Sequence, residues 1–148
     1  MLAAIFLSFV DATPKELGAY VVKPESVYGF TELDSRGTHR ELRLTSQQWR
    51  GTTWRHDLVL TGGENSDTAI LIVTGDRVEA DDRFAEDLSR RARLPVATLY
   101  NVPNQPLWDM REDDLIAHTF AQFLESGDAE WPLLFPMTKS VVKAMDAI

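Results

Sequence analysis

The hydrophobic period of this chain changes near its middle, and that change restricts the architectures open to it. Between Trp54 and Leu60, the residues Trp54, His56, Leu58 and Leu60 alternate with Arg55, Asp57 and Val59. Such alternation describes an antiparallel strand with one apolar side. From Ala69 to Val73 the run is continuously apolar, as in a strand covered on both faces. Between Ala80 and Arg93 the period becomes helical, with Phe84, Leu88 and Ala92 in line. Asp81 and Asp82 open that helix and Arg90, Arg91 and Arg93 close it, complementing its dipole. Pro95 forbids continuation, and Val96 to Val102 supplies a second buried strand. A strand, helix and strand in this order form a parallel unit with a right-handed crossover.

Upstream, Tyr28 to Leu33 and Thr38 to Leu44 flank the polar turn Asp34-Ser-Arg-Gly37, the signature of a hairpin. Antiparallel strands followed by a parallel unit predict an α/β fold with a mixed sheet and helices on its faces. A second helix is expected from Glu112 to Glu125, stopped by Gly127, with Leu115, Ile116, Phe120 and Phe123 on its apolar side. Trp131-Pro132 and Phe135-Pro136 form an extended link into a last helix. There Met137, Val141, Ala144, Met145 and Ile148 recur at helical spacing, with no Gly, Asn or trailing Pro to close it. The expectation is an N-terminal portion of an α/β domain over 13–148, truncated at its C-terminus.

The 148 residues are 44% hydrophobic, enough for one globular core. A formal net charge of −8, with no basic block, excludes nucleic acid and anionic membrane surfaces as partners. With no cysteine, thiol catalysis and Cys-based zinc sites are excluded as well. Leu2 to Val10 is an apolar run about half the length of a membrane span. Val10-Asp11-Ala12 follows it in the manner of a signal-peptidase site, although no basic leader precedes it. Residues 1–12 are thus read as a signal-peptide remnant and the protein as secreted or periplasmic, without a stable membrane anchor.

No serine occupies a Gly-x-Ser-x-Gly elbow. Ser140-Val-Val-Lys143 matches the short Ser-x-x-Lys pattern, but its companion motifs are absent and Lys143 is expected on the exposed side of its helix. Asp81-Asp82 and Glu112-Asp113-Asp114 stand in first helical turns, where carboxylates are favoured without any metal. His118 is expected to be solvated and His56 to be a half-buried sheet residue. No metal site or cofactor is expected. The one promising position is Thr74-Gly75-Asp76, just past the carboxyl end of a buried strand, where open sheets place ligand sites.

Longer strings carry more information than these motifs. Leu44-Thr-Ser-Gln-Gln-Trp-Arg50, Trp54-Arg-His56, Val102-Pro-Asn-Gln-Pro-Leu107, Glu112-Asp-Asp-Leu-Ile-Ala117 and Trp131-Pro-Leu133 resemble the PhoPQ-activated pathogenicity-related protein family. Pro136-Met-Thr-Lys-Ser140 and Lys143-Ala-Met-Asp146 extend the resemblance, which runs from about Leu17 to Ile148. It implies an α/β-hydrolase-like fold and export but carries over no substrate class; the full-length protein is expected to be an acyl hydrolase of an unknown small-molecule or ester- or peptide-like substrate. Under that implication the nucleophile, acid and histidine would follow Ile148, and Gly75 and Asp76 would be the oxyanion-hole candidates here. The alternative is a non-catalytic binding or virulence-associated protein on the same scaffold.

Overall fold

The computed structural model describes residues 14–63 and 66–148, so the signal-peptide expectation for 1–12 lies outside the described residues. The elements are α1 (Lys15–Val21), β1 (Gly29–Arg36), β2 (His39–Trp49), β3 (Thr52–Thr61), β4 (Ile70–Val73), α2 (Glu79–Ala92), β5 (Val96–Leu99), α3 (Glu112–Ser126) and α4 (Leu134–Met145). The strands form one sheet in the order β1-β2-β3-β5-β4. β1, β2, β3 and β5 pair antiparallel in turn, and β4 pairs parallel to β5. The mixed sheet with flanking helices is therefore present among the described residues, and it does not support the expected truncated α/β-hydrolase-like sheet. The described chain builds one five-stranded sheet with helices along its length.

β2 and β3 are joined by the two-residue turn Arg50-Gly51, both at positive φ (47° and 79°), which suits the twist of a tight hairpin. β2 runs to Trp49, beyond the expected end at Leu44. Polar Ser46 and Gln47 interrupt its apolar alternation, and the register shifts between Thr45 and Gln47 to accommodate a bulge. One face of the sheet brings Leu42, Leu44, Leu58, Ala97 and Leu99 under Ala144, Met137 and Val141 of α4. The alternate residues Val59, Val96 and Thr98 are buried too, because α2 packs on β5 and β3 from the other side. β3 thus has more than the single apolar side expected of it.

Four helical or strand faces differ from their expected ones. β4 is an edge strand with no fully buried residue, since only β5 pairs with it. In α2 the buried positions are Ala85 and Ser89, while Phe84 is exposed; burying the small residues lets the helix lie close to the sheet. α4 buries Pro136, Lys139, Ser140 and Ala144, leaving Met145 and Ile148 exposed beside a cleft of about 770 Å³. Its buried stripe is half polar, so apolar spacing misplaces it by about a quarter turn. A second cluster gathers Tyr20, Trp49, Trp54, Leu107, Leu115 and Leu133, tying α1 and α3 to the β2–β3 turn. In α3, Leu115 and Thr119 are buried and Phe120 is exposed, again shifting the expected face.

Gly62 and Gly63 turn the chain out of β3 at φ 68° and 60°. A Cβ at Gly63 would lie 2.2 Å from the backbone nitrogen of Pro95. We predict that Gly63→Ala lowers the stability by roughly 2–4 kcal/mol through strain and overlap, read from the urea midpoint. An unchanged midpoint would contradict this close packing.

Candidate functional site

The bulge in β2 places two polar side chains where apolar ones would be expected, and α4 answers them. Ser46, Gln47, His56 and Ser140 are all at 0% exposure. Tyr20 on α1 donates its hydroxyl to Gln47 Oε1 at 2.7 Å, and Gln47 Nε2 donates to the Pro136 carbonyl at 2.7 Å and to Ser140 Oγ at 3.0 Å. Ser140 Oγ lies 3.0 Å from Ser46 Oγ, which lies 2.9 Å from His56 Nε2. His56 Nδ1 faces the carbonyls of Asn101 at 2.9 Å and Tyr100 at 3.3 Å. A carbonyl can only accept, so the proton is assigned to Nδ1 and Nε2 accepts from Ser46. Through these contacts Tyr20, Gln47, Ser140, Ser46 and His56 form one connected polar chain that ends at Asn101. Ser140 Oγ donates to the Pro136 carbonyl at 2.9 Å, whose two lone pairs also accept from Gln47 Nε2.

Lys139, fully buried beside this chain of bonds, fastens α4 to the end of α1. It donates to the carbonyls of Tyr20 and Lys23 at 3.3 and 2.8 Å and pairs with Glu25 at 2.5 Å. A cation there satisfies the orphan carbonyls of a helix end.

The far end of the hydrogen-bond chain reaches the expected ligand position. Asn101, at φ 61°, donates its N–H to the Gly75 carbonyl at 2.7 Å, and Val102 donates to Thr74 at 3.1 Å. The loops after β4 and β5 therefore lie side by side at the carboxyl ends of the parallel pair. Arg111 closes this rim with a 2.7 Å ion pair to Asp76. The side chain of Gln105 receives the Glu112 N–H at 2.8 Å and so caps α3. Among the described residues, the N–H groups of Gly75 and Asp76 have no protein acceptor. They have no serine partner either, because the Ser–His contact formed by the described residues is enclosed behind Asn101.

Next to the rim the loop makes the turn Leu107–Met110, with Trp108 and Asp109 at φ 50° and 59°. Trp108 is 44% exposed and packs against Trp49, Trp131 and His118 at centroid distances of 5.8, 6.0 and 5.6 Å. His118 is consequently half-buried against indoles and not solvated. This cluster was not foreseen from sequence, since its members come from β2, the rim loop, α3 and the link before α4.

Lys143 is half-buried, pairing with Asp146 at 2.8 Å and lying over the Tyr28 ring, and the buried Ser140 is engaged elsewhere. His56 is fully buried, where a half-buried residue was expected. Among the described residues no group of three or more His, Asp or Glu side chains could hold a metal ion. Among them, too, no helix is long and apolar enough to cross a membrane.

An α/β protein with an enclosed polar core and an exposed loop rim is thus defined. A profile of the PhoPQ-activated pathogenicity-related proteins matches residues 19–148, and the chain belongs to that family. It is similar to autocrine proliferation repressor protein A of Dictyostelium discoideum, 30% identical over 175 residues. That alignment covers 100% of this chain and 35% of the relative, so the chain spans about a third of the relative's length. No solved structure matches.

These matches correct the remaining expectations. The family match covers nearly all of the chain and is not evidence of a truncated hydrolase that lacks its nucleophile. Neither the family description nor the relative's name denotes a hydrolase. The assignments to acyl hydrolysis, to an α/β-hydrolase-like fragment and to an ester or peptide substrate are withdrawn.

Burial lowers the His56 pKa to about 4 from its ordinary 6.5, against the opposing pull of the two backbone carbonyls. The unfolded chain therefore takes up the His56 proton first as the pH falls. Stability from this group is fully present above pH 6.5 and is lost as the pH drops toward 4. We predict that wild type loses about 2 kcal/mol more than His56→Gln between pH 7.5 and 5 in urea titrations. Parallel losses in the two proteins would contradict the assigned neutral state.

Proposed function

We propose that this chain is a non-catalytic binding protein whose ligand-facing surface is the rim formed by the loops after β4 and β5. The enclosure of Ser46 and His56 carries this conclusion. Their geometry is that of a nucleophile and its base, yet both are at 0% exposure and their lone pairs and protons are consumed within the core. A hydroxyl that no substrate can reach performs no acyl transfer. At the rim, by contrast, the Gly75 and Asp76 N–H groups have no acceptor among the described residues and stand next to the exposed Asp76–Arg111 pair. Backbone donors and a charged pair at the carboxyl end of a parallel unit suit recognition of a polar group. The similar Dictyostelium protein is named for repressing proliferation, and the family for pathogenicity, which agrees with action by contact with a partner.

A fluorophosphonate probe tests this directly. The native protein is expected to remain unlabelled at neutral pH, as are its Ser46→Ala and Ser140→Ala variants. Stoichiometric labelling of wild type, abolished by either substitution, would show a working nucleophile and overturn the assignment.

A further inference from the structure

We infer that Trp108 and the carboxylates around it form a docking surface for an arginine-bearing segment of a partner protein, which rests on the non-catalytic binding role proposed above. The Trp108 indole is held on three sides by Trp49, Trp131 and His118, and 44% of its surface still faces solvent. A fixed, half-exposed indole is the side chain that most often anchors a protein interface, because little rotamer entropy is lost on binding.

The chemistry of the partner is written in the same cluster. The Arg50 guanidinium lies 4.1 Å over the Trp131 ring and is closed by Asp128 at 2.7 Å. An indole face and a carboxylate thus already grip one guanidinium, combining cation–π attraction with an ion pair. Trp108 offers a second, 44% exposed indole, and the next residue in the chain, Asp109, is an exposed carboxylate. Asp114 stands one helical turn before His118 on the same side of α3, and α3 holds four carboxylates and no Lys or Arg. The basic residue closest in this loop, Arg111, is engaged by Asp76. With a chain charge of −8, an incoming cationic segment is drawn to this surface and an acidic one is repelled. Arginine is favoured over lysine because its planar guanidinium stacks on the indole while bonding a carboxylate.

The test uses fluorescein-labelled nona-arginine and nona-lysine peptides, titrated with the whole chain and read by fluorescence anisotropy. Nona-arginine is expected to bind at least fivefold more tightly than nona-lysine. Trp108→Ala should weaken it about tenfold or more, and Trp108→Phe by less. Asp109→Asn with Asp114→Asn should weaken both peptides. Equal affinity for the two peptides, with no response to Trp108→Phe or Trp108→Ala, would leave only diffuse charge attraction and overturn the inference. Should Trp108→Ala fail to fold by circular dichroism, the phenylalanine and double asparagine variants decide, and wild-type binding in both contradicts the proposal. Fluorophosphonate labelling reports on the absence of catalysis independently of either peptide, so the two ideas fail separately.

Discussion

The hydrogen-bond chain from Tyr20 to Asn101 is the constraint on which the rest of the molecule depends. It crosses the core from α1 through α4, β2 and β3 to the rim loop. Each buried polar group in it has a partner, and removing one would leave its neighbour desolvated and unpaired at a cost of about 1–3 kcal/mol. Apolar packing between α4 and the sheet is non-directional and would tolerate sliding. The polar contacts of Ser140 and Gln47 fix the register of α4 on β2, and Lys139 fixes α1 on α4. The same bonds consume the serine and histidine that a catalytic reading would require.

This arrangement also explains where adaptability remains. His56 holds the Asn101 carbonyl while Asn101 holds Gly75, so the two loops of the rim are positioned from beneath by a rigid core. Four of the residues at positive φ, Asn101, Trp108, Asp109 and Glu112, lie in this loop and at the start of α3. Such conformations cost free energy and persist where surrounding contacts over-determine them, which is common at recognition surfaces. A stiff base under an exposed loop suits binding by a preformed surface.

Much of the fold was legible in the sequence because it rests on local signals. The change of period marked the antiparallel and parallel parts of the sheet, and Gly127 at φ 70° ends α3 where expected. Pro95 likewise separates α2 from β5. What failed did so for one physical reason: burial of polar and small residues. Ser46 and Gln47 hid the second half of β2, Lys139 and Ser140 hid the buried stripe of α4, and Ala85 with Ser89 hid that of α2. Hydrophobic periodicity sees none of these, since their partners are distant in sequence. Gly75 and Asp76 could be placed from sequence just past the end of β4, because the carboxyl end of a parallel strand is a topological position. Trp108, His118 and Trp131 could not, because their assembly depends on long-range packing.

The protonation state of His56 is the most direct measure of whether the Ser46–His56 pair is structural. Nitrogen NMR of the histidine side chains distinguishes the tautomers and follows each through a pH titration. The enclosed hydrogen-bond chain predicts a neutral Nδ1–H form whose ring proton exchanges slowly and which stays uncharged at pH 5.5. A His56 signal that titrates near its ordinary 6.5 with rapid exchange would mean that the pair is open to water, and would contradict the account.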